Sequence, residues 1–152
     1  MTETARSQTG SFLLPAPLAR VMPLFTAEGE RRWAKGWDPE ILSGAGERGS
    51  AFRTRDGNGR ISHWIITRHD PAGGRVSYAR LAEASNIGLV DVSLAEAAGG
   101  TRVTVTYTLT ALNADSARFV AEFVEPSRYA RMMEEWAEAT AAALEQAAEI
   151  DA

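Results

Sequence analysis

The order of its patterns constrains this chain more than any single motif: a run of turn-separated strands is followed by one long helical tail. The strands occupy about Ala45 to Thr110, and the tail from Asp115 to Ile150 is rich in Ala, Glu and Met. A sheet of that size exposes a face that needs a cover, and the last helix is the segment long enough to supply it. The turns are well marked. Asp56-Gly57-Asn58-Gly59 is a strong hairpin signal, because glycine and asparagine accept positive φ, and Asp70-Pro71-Ala72-Gly73-Gly74 and Ala98-Gly99-Gly100 repeat the pattern. Between them lie strands over Ser50–Thr54, Arg60–Arg68, Arg75–Ala82, Ile87–Glu96 and Thr101–Thr110. In the last, Val103, Val105, Tyr107 and Leu109 take one face and four threonines the other. Tight turns make neighbours antiparallel, so consecutive strands form a meander.

Before the sheet, Ser11-Phe12-Leu13-Leu14 reads as a first strand stopped by Pro15 and Pro17. Leu18, Val21, Met22 and Phe25 recur at helical spacing, with Pro23 set to shorten that helix. A second short helix is expected over Ala27–Ala34, with Glu28, Glu30 and Arg31 on its polar side. The stretch Gly36–Gly49 has room for a further strand. After the sheet, Asp115 or Ser116 is expected to cap a short helix to about Val124. Pro126 breaks it, and the main helix runs from Ser127 to about Ile150. Its apolar stripe is Tyr129, Met132, Met133, Trp136, Ala139, Ala143, Leu144 and Ala147. Thr140 falls on the same stripe, where its hydroxyl can bond back to a carbonyl one turn earlier. At about 1.5 Å per residue this helix reaches roughly 35 Å, enough to cross a five- or six-strand sheet.

At 152 residues the chain is long enough to bury a core without staples. Net charge of -4 gives no basic footprint for nucleic acid or anionic lipid. The absence of cysteine excludes disulfides, thiolate zinc sites and cysteine nucleophiles, and suits a cytoplasmic location. Met1–Gly10 lacks a hydrophobic stretch and does not read as a secretory signal, and no apolar run is long enough to span a membrane.

Several apparent chemical motifs dissolve on inspection. Gly44-Ala45-Gly46-Glu47-Arg48-Gly49 fits the dinucleotide-binding glycine pattern letter for letter, but no parallel strand precedes it and no helix follows. It reads instead as a flexible entrance to the second strand. His63 and His69 stand six apart with no third ligand, so no metal site is expected. Placing Trp64 and Ile66 inward turns His63 outward, and His69-Asp70 sits beside a turn where neighbours seldom face each other. Arg53, Arg80 and Asp91 lie within strands, where cross-strand pairing on the solvated face is their ordinary role. Arg80 shares a face with Val76 and Tyr78, which makes it the first choice for an arginine that recognises a ligand carboxylate. The glutamates of the last helix read as its wet face.

Phe12-Leu13-Leu14-Pro15-Ala16-Pro17 with Val21 and Phe25, then Trp33-Ala34-Lys35-Gly36-Trp37-Asp38-Pro39-Glu40, Gly99-Gly100-Thr101-Arg102-Val103-Thr104-Val105-Thr106-Tyr107, and the helix bearing Tyr129, Met132, Met133 and Trp136 together carry a resemblance. Over nearly the whole chain they resemble the START-like, helix-grip superfamily (SRPBCC), in its polyketide cyclase/dehydrase-like or heat-shock-ATPase-activator-like branches. The resemblance implies an α+β fold: a curved antiparallel sheet of about six or seven strands wrapped around a long C-terminal helix, with two short helices after the first strand. It implies one START-like domain over residues 7–150, after an N-terminal stretch 1–6 expected to be flexible. It also implies a hydrophobic cavity between sheet and helix. It names no chemistry, because the superfamily includes lipid carriers, hormone receptors, cyclases and co-chaperones.

The aromatic supply makes that cavity the candidate site. The expected ligand-binding residues are Phe25, Trp33, Trp37, Phe52, Trp64, Tyr78, Arg80, Tyr107, Met133 and Trp136. Tyr78, Tyr107 and Arg80 would orient the ligand. Trp33 and Trp37 either form a lid over the cavity mouth or staple their loop to the sheet edge. No catalytic residue is assigned and no cofactor is expected. The leading expectation is a binding protein for a small apolar or aromatic metabolite or lipid. A cyclase or dehydratase acting in the same cavity is the enzymatic alternative, requiring an inward titratable group among His63, Arg80, Asp91 or Tyr107. A co-chaperone-like interaction module is the third, requiring a filled interior and an exposed apolar patch. A homodimer is compatible with all three.

Overall fold

The threonine-alternating segment sits near one side of the sheet and sets its inner face. In the structure, a computed structural model that describes residues 5–151 and their side chains as far as residue 147, this segment is the strand Gly100–Ala111. Val103, Val105, Tyr107 and Leu109 are buried, while the intervening threonines are half-buried. The strands in chain order are β1 (Arg6–Leu14), β2 (Glu40–Ser43), β3 (Ala51–Arg55), β4 (Ile61–Asp70), β5 (Arg75–Ala82), β6 (Asn86–Ala97) and β7 (Gly100–Ala111). They form one curved, seven-stranded antiparallel sheet in the order β1-β7-β6-β5-β4-β3-β2. The meander from β2 to β7 follows from the tight turns, and β1 closes the far side against β7. In the β3–β4 turn the Asp56 carboxylate accepts from the amides of Asn58 and Arg60, and Gly59 takes a φ of +83°. That is the local chemistry that the Asp-Gly-Asn-Gly run encodes.

Among the described residues three α-helices complete the fold: α1 (Leu18–Val21), α2 (Ala114–Phe123) and α3 (Pro126–Asp151). Pro23 does shorten the first, which passes into a 3-10 turn over Met22–Phe25. The second expected helix is a single 3-10 turn, Gly29–Arg32. Asn113, rather than Asp115 or Ser116, caps α2 by accepting from the Ser116 amide at 2.9 Å. Pro126 stands at the first position of α3, where its missing N–H costs nothing, and Glu125 accepts from the amides of Ser127 and Arg128. Thr140, fully buried, donates to the Trp136 carbonyl at 2.6 Å. β1 begins at Arg6, five residues before the apolar Ser11–Leu14 segment, with Arg6 opposite Leu109. Of the stretch 1–6 expected to be flexible, residues 1–4 lie outside the described residues. β2 occupies the Gly36–Gly49 stretch that had room for a strand.

α3 does not lie evenly over the sheet. Its Tyr129 and Met133 pack onto β1 at Gly10, where an added Cβ would stand 2.6 Å from the Met133 Cγ and 3.1 Å from the Tyr129 Cε1. The Tyr129 hydroxyl donates to the Val105 carbonyl of β7 at 2.6 Å. Arg20 and Arg32 donate to the Leu144 and Ala143 carbonyls, tying the segment after β1 to the far end of the same helix. The helix is thus fixed along β1 and β7, and the inner faces of β3 to β6 are left to be covered by other groups. On the outer face Ile65, Leu81, Ile87 and Leu89 are each exposed. No helix among the described residues is long and apolar enough to cross a membrane.

Candidate functional site

The inner face of β3 to β7 and one side of α3 enclose a cavity of about 400 Å³. Nine of the ten expected residues line it: Phe25, Trp33, Trp37, Phe52, Trp64, Tyr78, Arg80, Tyr107 and Trp136. Met133 does not, because it is spent on the β1 contact, and Met132 lines the cavity in its place. Successive helical residues are turned by about 100°, so the two methionines face different neighbours. Trp64 is inward and Ile65 outward, as the choice of strand face requires, and His63 is in register with Arg53 and Leu81 on the other side. Neither His63 nor Asp91 reaches the cavity. Asp91 accepts from the Ser77 hydroxyl at 2.6 Å on the outer face. Arg53 makes a paired ion contact across strands with Glu40, at 2.7 and 3.0 Å. Asp70 accepts from the Gly73 amide of its own turn. The glycines from Gly44 to Gly49 form the loop between β2 and β3, with no helix after them. No cluster of three potential metal ligands occurs among the described residues.

The walls are held by tilted and edge-to-face ring contacts. Trp33 meets Phe25 at 5.6 Å and Trp136 at 5.0 Å, and Trp37 meets Phe52 at 5.9 Å and Trp64 at 5.6 Å. Such pairs add about 0.5–1.5 kcal/mol each beyond area burial. Both indole N–H groups are also fixed: Trp33 donates to the Leu24 carbonyl at 2.7 Å and Trp37 to the Ala27 carbonyl at 2.8 Å. The tryptophans are therefore stapled and at the same time form cavity wall. The exposed lining residues Lys35 and Glu135 mark the mouth, between the loop after the 3-10 turn and α3.

Three polar groups inside the cavity differ in how they are satisfied. Tyr78 donates its hydroxyl to the Phe25 carbonyl at 2.7 Å, and burial raises its pKa. It braces the wall. Tyr107 is also buried, and desolvation moves it up to about 12, with Arg80 pulling it down and Glu30 pushing it up. Arg80 lies between two ring faces, its guanidinium carbon 5.6 Å from the Trp64 centroid and 5.9 Å from that of Tyr107. One of its nitrogens donates to Asn86 Oδ1 at 2.8 Å, while its buried Nε has no hydrogen-bond partner among the described residues. Desolvation lowers its pKa, although a guanidinium stays charged across the working range.

Glu30 is the residue that reading the sequence missed. Assigned to the solvated side of an α-helix, it lines the cavity instead. Spacing outweighs charge here: Glu30 stands three residues before Trp33 and turns inward with it, while Glu28 stands three before Arg31 on the outer side. Arg31 pairs there with Glu28 at 2.9 Å and with Asp38. Inside, burial alone raises the Glu30 carboxyl from 4.5 to about 8, with no cation offsetting it. A glutamate directly after Gly29, the first residue of the turn, and three before Trp33 is the only signal the sequence held.

Comparison with known proteins agrees with this architecture. Residues 6–149 match the family described as polyketide cyclase / dehydrase and lipid transport. Among solved structures, a point mutant of norcoclaurine synthase from Thalictrum flavum, in complex with a transition-state analogue, superposes with a TM-score of 0.71. It shares 7% identity, over 96% of this chain and 98% of the other. Ara h 8.0201 gives 0.67 with 16% identity, over 94% and 99% of the two chains. An uncharacterised protein from Rhizobium leguminosarum gives 0.67 with 20% identity, over 96% and 99%. At these identities the likeness shows the fold alone. No curated protein matches the chain. A seven-stranded curved sheet gripping a long C-terminal helix over a cavity, together with a family match that runs nearly end to end, makes this chain a member of the polyketide cyclase/dehydrase and lipid transport family, within the START-like superfamily.

Proposed function

We propose that this protein binds a small, largely aromatic molecule in the cavity between sheet and α3. The observation that carries the reading is the unfilled space itself: about 400 Å³, walled by four tryptophans and further rings, with the indole N–H groups of Trp33, Trp37 and Trp64 already bonded to protein acceptors. Cavities of about 300–1,000 Å³ with apolar walls and few polar groups are the usual form of small-molecule sites. Burial of apolar ligand surface, at roughly 25 cal/mol per Å², would supply most of the affinity before ordering costs. The cavity argues against the interaction-module reading, which needs a packed interior. The test is fluorescence titration with N-phenyl-1-naphthylamine, a neutral aromatic probe. Wild type is expected to bind it saturably, and Ala139→Trp, at the cavity lining on α3, to weaken binding at least tenfold with folding intact. Equal binding by the two proteins would refute the site.

One observation favours an enzymatic reading as the second. A carboxyl that exchanges its proton near neutral pH shares the cavity with Arg80 and Tyr107. Glu30 could take a proton from carbon next to a bound carbonyl while those two donors hold the enolate oxygen. Loss of solvent deuterium exchange into a bound ketone in Glu30→Gln, with binding retained, is the result this reading expects.

A further inference from the structure

The polar groups of the cavity carry an unbalanced charge, and this bears on which aromatic molecules it takes. Arg80 is the inward cation. Its guanidinium is inserted between Trp64 and Tyr107, makes one hydrogen bond to the neutral Asn86, and pairs with no carboxylate among the described residues. On its other side Arg80 borders a polar recess of about 460 Å³, whose carboxylates Asp56 and Asp115 make no ion pair with it either. A partly desolvated cation whose one hydrogen bond goes to a neutral acceptor attracts an anion that can lie against its remaining N–H groups. A guanidinium also presents parallel N–H donors that match the oxygens of a carboxylate or sulfonate.

We infer that the cavity is built for an aromatic anion, with the ring system among the tryptophans and the acidic group seated on Arg80. This rests on the cavity-binding reading above and adds the charge of the ligand. Glu30 is consistent with it. As a protonated acid it contributes no negative charge near neutrality, and its hydroxyl can donate to a second acceptor on the ligand. The other titratable groups of the cavity do not change that balance. Tyr78 and Tyr107 keep their protons above the range in which Glu30 ionises, and Lys35 and Glu135 sit exposed at the mouth with opposite charges. As pH rises through about 8, Glu30 becomes an anion in the same enclosure and opposes the ligand's charge.

Two probes with one anilinonaphthalene skeleton separate the ideas: neutral N-phenyl-1-naphthylamine and its sulfonate, 8-anilinonaphthalene-1-sulfonate. Both are titrated against wild type and Arg80→Met at about pH 6.5, and against wild type again at about pH 9.5. The expected result is that Arg80→Met loses at least tenfold in affinity for the sulfonate and less than threefold for the neutral probe. In wild type, the shift to high pH weakens the sulfonate at least threefold and leaves the neutral probe unchanged. Equal losses for both probes in the variant overturn the inference. So does sulfonate affinity that is flat with pH in wild type, a measurement that needs no variant to fold. Saturable binding of the neutral probe with no charge preference leaves the cavity reading standing and removes only the anion. Failure of the neutral probe to bind wild type removes the cavity reading itself.

Discussion

Glu30→Gln should change the pH dependence of stability in one direction only. In the unfolded chain this carboxyl titrates near 4.5, and in the cavity burial moves it to about 8. Between these values the folded protein retains a proton that the unfolded chain has released. Stability from this group is therefore complete below pH 4.5, falls as pH rises, and is fully lost above about 8. At about 1.4 kcal/mol per pH unit, the displacement sets a ceiling near 5 kcal/mol. Solvent reaching the cavity through the mouth at Lys35 and Glu135 screens the charge, so a loss of roughly 2–3 kcal/mol is the working expectation. Glutamine keeps the shape and cannot ionise. Urea unfolding of wild type and variant at about pH 5, 7 and 9 provides the assay, since titrations elsewhere cancel in the difference between the two proteins. The variant should be near parity at about pH 5 and ahead by roughly 2–3 kcal/mol at about pH 9. A difference that does not grow with pH would mean that the carboxylate is solvated and does not face the cavity.

Two further perturbations test how α3 is fixed and where the cavity ends. Gly10→Val places side-chain atoms where Met133 and Tyr129 now pack, the nearest within 2.6 Å of an added Cβ, and should cost about 1–3 kcal/mol in thermal unfolding. An unchanged Tm would show that α3 is not held to β1 at this point. Tyr129→Phe removes the 2.6 Å bond to the Val105 carbonyl and should cost about 1–3 kcal/mol in chemical denaturation. Its affinity for N-phenyl-1-naphthylamine should stay within twofold, because Tyr129 lies outside the cavity lining. A collapse of binding in this variant would redraw the cavity's boundary.

The parts of the fold legible in the sequence were those with a local cause. The Val-Thr alternation of β7, the Asp56–Gly59 turn, the break at Pro126 and the Thr140 back-bond each depend on residues within one turn or one strand of each other. The extent of β1 was hidden because Arg6–Gly10 is polar and carries a glycine. Its pairing with β7 is supported by hydroxyl contacts such as Thr9 to Thr106 at 2.8 Å, and its glycine is needed by a helix more than a hundred residues away. Glu30 was hidden because its charge groups it with Glu28 and Arg31, whereas its spacing of three from Trp33 puts it on the tryptophan's side under a repeat of either three or 3.6 residues, and a four-residue turn shows no wider pattern to outweigh the charge.

The sequence alone carried the element order, the antiparallel meander, the inward face of β7 and the aromatic character of the lining, because periodicity and turn chemistry act over short stretches of chain; in β4, where Ile61 and Ile65 are as apolar as Trp64 and Ile66, the inward face came from the fold. Only the tertiary structure decided that α3 leans on β1, that Met132 and not Met133 faces the cavity, that Arg80 pairs with no carboxylate among the described residues, and that a carboxyl joins the tryptophans. The physical reason is that an unfilled volume and a perturbed proton are set by distant elements meeting, where small differences in packing decide what remains open and what is desolvated.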